Sequence, residues 1–189
     1  EMCIRDSHWA IPTDLFSLLQ KALHILGERF ASPLNVHPDT KQYYSQFKED
    51  EAFGAIHDGY SQQPTSPIEA NPEYTPIELF RALKHSVQAT YTDRPVLQLL
   101  VYPNWQEEPY RRWLKHPRVH ILTEIPEGKC AFVPPDFFKG PTSHKDSNTA
   151  HWGVYLILVA NPQGITKWYD SQTLDSLWKE YYTSKQTKP

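Results

Sequence analysis

The residues with the most chemical promise are Asn71-Pro72-Glu73-Tyr74, set between the short run Ile68-Glu69-Ala70 and the start of a helix. A carboxamide oxygen at Asn71 and the carbonyl of Pro72 can each accept one N–H of an exocyclic amine. Such an amine, adenine N6 for example, is a poor nucleophile because its lone pair is delocalised into the ring. Acceptors on both hydrogens favour a pyramidal nitrogen with a localised pair as the transition state forms. An aromatic face at Tyr74 can stack on the base, worth about 1–3 kcal/mol. The chemistry needs the amine held in line with the group it attacks, and it needs no metal. The same four residues also suit a plain Asn-Pro turn that enters a helix.

Other chemistries find less support. The chain has 17 Pro and 7 Gly, and no two glycines are spaced as G-x-G, so a glycine-rich phosphate cradle is absent. There are 9 His, but His144 and His151 with Cys130 lack zinc spacing, and no metal site is expected. Cys130 is read as a buried strand residue rather than a nucleophile paired with His151. Asp58 is read as a turn residue and Glu69 as a surface carboxylate, although either has the chemistry to hold a ligand hydroxyl. Trp105 and Trp152 are read as core residues, with Trp105 also a candidate against a base. A net charge of -3 and a pI near 6.3 exclude a broad nucleic-acid footprint. Local basic groups remain, namely Arg111, Arg112, Lys115 and Arg118, and then Lys139, His144 and Lys145. Two cysteines, Cys3 and Cys130, point to a reducing compartment. No apolar run approaches the roughly 20 residues of a membrane span, so no membrane partner is expected.

Positioning these groups requires a framework, and 189 residues with 39% hydrophobic content suffice for one α/β domain. The first seven residues follow no usable pattern and are set aside as a non-native extension. The domain is expected over 8–182, with a frayed tail over 183–189. Apolar spacing predicts a helix over 13–26, stopped by Gly27. A short extended run follows at 29–35, and the Tyr-rich stretch 39–48 has the makings of a helix. Phe53-Gly54 and Asp58-Gly59 mark turns. Residues 68–70 form a brief strand, and Thr75-Pro76-Ile77-Glu78 is a capping box, with Thr75 as N-cap and Glu78 reaching back. Leu79, Phe80, Leu83 and Val87 give that helix its buried face. Strands are expected over 96–102, 119–123, 130–133 and 152–160, and helices over 107–115 and 171–182. The alternation favours an α/β sandwich with a largely parallel central sheet and helices on both faces. In open sheets of this kind ligands collect at the carboxyl ends of strands, which singles out the loops 30–35 and 71–74.

Read in order, Phe30-Ala31-Ser32-Pro33-Leu34-Asn35, Lys41-Gln42-Tyr43, Phe53-Gly54, Glu69-Ala70-Asn71-Pro72, Val101-Tyr102-Pro103-Asn104-Trp105, Ala160-Asn161-Pro162 and Lys167-Trp168 resemble the catalytic region of the phosphorylated CTD-interacting factor family. The resemblance covers about residues 28–168. It implies a Rossmann-like methyltransferase fold with S-adenosylmethionine as methyl donor. It also implies transfer to N6 of the adenosine beside a capped RNA 5′ end. By this resemblance Phe30, Ala31, Ser32, Pro33 and Asn35 line the cofactor pocket, Asn71 and Pro72 orient the amine, and Tyr74 stacks the base with Trp105 beside it. The family tetrapeptide Asn-Pro-Pro-Phe maps onto Asn71, Pro72, Glu73 and Tyr74, so Glu73 stands where a proline would fix the loop. The family also carries a preceding helical region and, in animals, a WW domain; neither is recognised in these residues, so a partner region is expected to be missing. An RNA enzyme of this kind is expected inside the cell, in the nucleus of a eukaryote and otherwise in the cytoplasm. Two alternatives stay open: a catalytically silent module of this fold that binds cofactor or RNA, and a DNA adenine N6-methyltransferase.

Overall fold

The computed structural model describes residues 10–106, 109–130, 132–133 and 149–186, with side chains described as far as residue 181. The extension expected at 1–7 and the loop residues Lys139, His144 and Lys145 lie outside these. Helix α1 (Thr13–Leu23) buries Leu15, Phe16, Leu18, Leu19, Ala22 and Leu23 along one stripe. It ends at His24, which takes the left-handed conformation with φ 55°. The expected stop, Gly27, instead opens strand β1 (Gly27–Arg29). The stretch with the makings of a helix at 39–48 is strand β2 (Gln42–Ser45), whose Tyr43 and Tyr44 are buried on a sheet better suited to aromatic side chains.

The chain continues through a 3-10 turn (Lys48–Phe53) to β3 (Ile56–His57), then β4 (Ile68–Ala70) and helix α2 (Pro76–Ala89). Beyond these come β5 (Leu97–Pro103), α3 (Tyr110–Trp113), β6 (Val119–Ile125), β7 (Val154–Ala160), α4 (Pro162–Trp168) and α5 (Ser171–Gln186). α5 thus runs past 183, where a tail was expected. The strand expected at 130–133 reduces, in its described residues, to an isolated bridge between Val133 and Ala10.

The seven strands lie in the order β3-β2-β1-β4-β5-β7-β6. Pairing is parallel from β3 to β5, as expected, but β7 runs antiparallel to both β5 and β6, so the sheet is mixed. An unbroken apolar run such as Val154–Ala160 reads the same in either direction, which is why pattern alone does not reveal the reversal. Helices cover both faces. On one face α1 and α5 pack over Leu97, Leu99, Val101, Leu156 and Leu158. On the other, α2 and α3 pack over Leu100, Tyr102, Ile157 and Val159. Successive residues of β5 and β7 therefore alternate between two cores, and β5 is buried along its whole length. Among the described residues no helix is long and apolar enough to cross a membrane.

One polar residue fastens the far end of this sheet. Asn161, 1% exposed, accepts hydrogen bonds at Oδ1 from Val96 N–H (3.0 Å) and Gly164 N–H (2.8 Å). Its Nδ2 donates to the Arg94 carbonyl (2.7 Å) and the Thr92 carbonyl (3.3 Å). Asn161 is the N-cap of α4 and at the same time the tie between that helix and the entry of β5. Gly164 lets the two backbones meet, because a Cβ there would stand 2.0 Å from the Val96 oxygen. We expect Asn161→Ala to lower stability by at least about 2 kcal/mol, since buried donors and acceptors lose their partners together. Gly164→Ala should cost more. Urea unfolding with an unchanged m-value is the measurement.

Candidate functional site at the carboxyl ends of β1 and β4

β1 and β4 are adjacent and parallel, and their last residues, Arg29 and Ala70, are register partners. Phe30 and Asn71 are therefore the first residues beyond neighbouring strand ends, at a strand spacing of about 4.8 Å. From here the sheet order runs outward in opposite directions, to β2 on one side and to β5 on the other. That makes this end a topological switch point, where open sheets bind ligands. A narrow crevice opens here, lined by Phe30, Ala31 and Asn35 from the first loop, Asn71 from the second, and Glu28, Arg29 and Glu69 from the strands.

The first loop is held by its own side chains. Asn35 Oδ1 accepts from Ser32 N–H (2.7 Å) and from Ser32 Oγ (3.0 Å), and Ala31 N–H donates to the Tyr44 carbonyl (3.1 Å). Phe30 has φ 68°, a left-handed conformation that costs a non-glycine residue energy and that nucleotide-binding turns normally give to glycine. Its ring is half-buried against Tyr60 (4.9 Å between centroids), which meets His85 edge-on (5.2 Å). His85 accepts at Nδ1 from Arg29 Nη1 (2.8 Å) and donates from Nε2 to the Tyr60 carbonyl (2.7 Å). Burial and then the Arg29 charge push the His85 pKa down, and burial pushes that of Arg29 down to about 10. Ser32 and Pro33, expected to line the pocket, shape the loop and do not line the crevice.

In the second loop Pro72 is buried and Glu73 exposed. The Glu73 carbonyl accepts from Thr75 N–H (2.9 Å), and Thr75 Oγ1 accepts from Glu78 N–H (3.3 Å). Half of the expected capping box thus forms. The Glu78 carboxylate turns instead to the Tyr60 hydroxyl (2.9 Å) and Arg81 (3.4 Å). Tyr74 is half-buried, with its hydroxyl donating to the Val101 carbonyl (3.4 Å). Its ring meets Trp105, Phe132 and Trp152 edge-on at 6.1, 6.1 and 6.3 Å. Burial, with Cys130 and Glu69 nearby, holds the Tyr74 hydroxyl well above the ordinary tyrosine range, so it stays neutral. Trp105 packs on Trp152 (5.6 Å), and its backbone N–H donates to the Tyr110 hydroxyl (3.1 Å). Tyr74 and Trp105 therefore belong to an aromatic wall rather than to the crevice lining.

Two residues at the site run against their sequence reading or escaped it. Glu69 is not a surface carboxylate: it is 3% exposed, and Glu28, its register partner on β1, is 6% exposed. Glu28 Oε1 accepts from His37 N–H (2.8 Å) and from Thr40 Oγ1. Burial raises the pKa of both carboxyls, that of Glu69 the more, with the Glu28 charge adding to the effect. The overlooked signal was a carboxylate inside a short strand that parallel neighbours cover on both sides, where a charge is largely withdrawn from water. Cys130 is buried as read, its thiol pushed up to about 12, and Asp58 is a turn residue with φ 58°. Of the basic run, Arg111, Arg112 and Lys115 are exposed, while Arg118 lies over the Tyr91 ring (5.8 Å). Among the described residues no group of His, Cys, Asp or Glu is arranged to hold a metal ion.

The Arg29–His85 contact carries a pH dependence. A histidine whose folded pKa is lowered contributes stability that is present above its unfolded value of 6.5 and is lost as pH falls below it. His85→Gln should flatten this acid-side loss relative to the unsubstituted protein, read as the urea midpoint at pH 7.5 and 5.5. Equal slopes would remove His85 from the account.

A family model described as the phosphorylated CTD interacting factor 1 WW domain matches residues 2–121. Within that span lie β1 to β5, α1 to α3 and both loops of the crevice. No curated protein matches the chain. With well over half of its residues matched, and with both loops inside the match, the chain belongs to the phosphorylated CTD interacting factor 1 family.

Proposed function

We propose that this chain is a Rossmann-like methyltransferase domain that transfers a methyl group from S-adenosylmethionine to adenine N6 in RNA, with the adenosine beside a capped 5′ end as substrate. The observation that carries this reading is the placement of the 30–35 loop and Asn71 at adjacent strand ends of the switch point. The strand order β3-β2-β1-β4-β5 is that of doubly wound nucleotide-binding sheets, which supports it further. So does the crevice chemistry: buried carboxylates with no ion pair to a cation among the described residues suit a ligand that carries a sulfonium and an ammonium group.

In this reading Phe30, Ala31 and Asn35 hold the cofactor, which when bound supplies an electrophilic methyl. Asn71 Oδ1 and the Pro72 carbonyl accept the two N6 hydrogens and orient the nitrogen lone pair. Tyr74 and Trp105, in the aromatic wall beside them, give the base an apolar surface and keep water from the amine. RNA as substrate places the protein inside the cell.

The test is transfer of labelled methyl to capped and uncapped adenosine oligonucleotides. Asn71→Ala should cut the rate by about 100-fold or more while leaving cofactor affinity nearly unchanged, because its contacts strengthen only as the transition state forms. Glu73 in place of a proline favours a second reading, a silent module of the same fold. Cofactor binding without transfer, together with rescue of transfer by Glu73→Pro, would establish that second reading. Preference for DNA oligonucleotides in the same assay would move the substrate to DNA.

A further inference from the structure

Glu28 and Glu69 stand side by side as register partners on adjacent parallel strands, on the face covered by α1. Side chains so paired have Cβ atoms about 5 Å apart. Both carboxyls are more than nine-tenths buried, and both line the crevice. Glu28 is supported by hydrogen bonds from the His37 N–H and the Thr40 hydroxyl. Glu69 accepts no hydrogen bond among the described residues. Among the described residues, the groups facing the pair bring no fixed positive charge to it. α1 brings the Phe16 ring, which stacks on His37 at 4.2 Å; burial lowers the His37 pKa, which disfavours its cationic form, against the opposing pull of Asp39 4.0 Å away. Tyr74 stays neutral. Arg29 also lines the crevice, but its guanidinium reaches across the sheet to His85 and the Gln62 carbonyl. Two ionised carboxylates at this spacing, desolvated and without a cation, would repel each other strongly.

Resting on the cofactor reading above, we infer that the Glu28–Glu69 pair holds one proton in the ligand-free protein and exchanges it for a positive group of the bound ligand. The exchange balances: the pair with one proton and a net charge of -1 takes up a monocationic group, releases H⁺, and becomes two carboxylates facing that cation. Glu69, which has no hydrogen bond to favour its charged form, carries the proton, and Glu28 is the member ionised throughout. The pair is then a charge filter. A nucleoside with a sulfonium or ammonium group drives the exchange, and a neutral nucleoside of similar shape does not.

Titration calorimetry of the full chain with S-adenosylmethionine, in two buffers of different ionisation enthalpy between pH 5 and 7, counts the protons. Up to one proton should be released per site, and affinity should rise by as much as about tenfold per pH unit. 5′-Methylthioadenosine, which keeps the adenosine and the S-methyl group but has a neutral thioether in place of the sulfonium and no ammonium group, should bind without proton release. Glu69→Gln, nearly isosteric and neutral, should abolish the release and the pH dependence for S-adenosylmethionine, with Glu28→Gln as the second variant if the first fails to fold. Binding of S-adenosylmethionine with no proton released, or undiminished release by a folded Glu→Gln variant, would overturn the inference and leave the cofactor reading standing. Absence of binding by either nucleoside would overturn both.

Discussion

The parallel pairing of β1 with β4 is the constraint on which the site depends. Each strand has only three residues, and their register sets Gly27 against Ile68, Glu28 against Glu69 and Arg29 against Ala70. Because side chains alternate along a strand, that register sends both carboxylates to the α1 face and Arg29 to the α2 face. A slip of one residue would oppose Glu28 to Ala70 or Ile68 and separate the two loop starts. The pairing is protected by its position: β1 lies between β2 and β4, and β4 between β1 and β5, so neither strand has a free edge.

Burial of three ionisable groups on so short a ladder is costly, and the structure answers each one separately. Arg29 gives its hydrogen bonds to neutral acceptors, a histidine nitrogen and a backbone carbonyl, rather than to a carboxylate. Glu28 accepts two hydrogen bonds at one oxygen. Glu69 has neither remedy, and its remaining route is to stay protonated. The strained turn at Phe30 follows Arg29 directly. It is held by the ring contacts Phe30–Tyr60 and Tyr60–His85, and His85 is the residue that receives Arg29. The backbone strain at the mouth of the crevice and the buried charge beneath it are thus borne by one cluster.

Much of this was legible in the sequence, for physical reasons that differ by element. The strand at 68–70 and the helix that begins at Thr75-Pro76 were readable because local rules decide them: an N-cap oxygen and a proline at N1 fix a helix start with little help from distant contacts. β2 was misread because Tyr43 and Tyr44 have no helical or alternating partners nearby; only the neighbouring strands make them a strand. The direction of β7 depends on tertiary placement, which an apolar run does not encode. The two loops of the site were found through their residue types. The carboxylates were missed because a glutamate in a three-residue strand looks like any surface glutamate until its neighbours on both sides are known. Phe30 was chosen for its resemblance, yet its left-handed backbone, the device that replaces a glycine, leaves no trace in residue type.

Glu73 is the departure that weighs most on function, and the structure narrows what it changes. A proline at this position would hold the loop by fixing one φ angle. Here other contacts hold the same stretch. Before it, Pro72 is itself rigid and buried. After it, the Tyr74 hydroxyl reaches the Val101 carbonyl of β5, and Thr75 is fastened both to the Glu73 carbonyl and to the helix it caps. The Glu73 side chain is exposed, near the start of α2, where a negative charge is favoured by about 0.3–1 kcal/mol. The groups that would act on an amine, the Asn71 amide and the Pro72 carbonyl, precede residue 73 and depend for their position on the end of β4. The missing ring therefore bears on how stiffly the loop holds its shape between two anchored ends, and not on whether the acceptors are present.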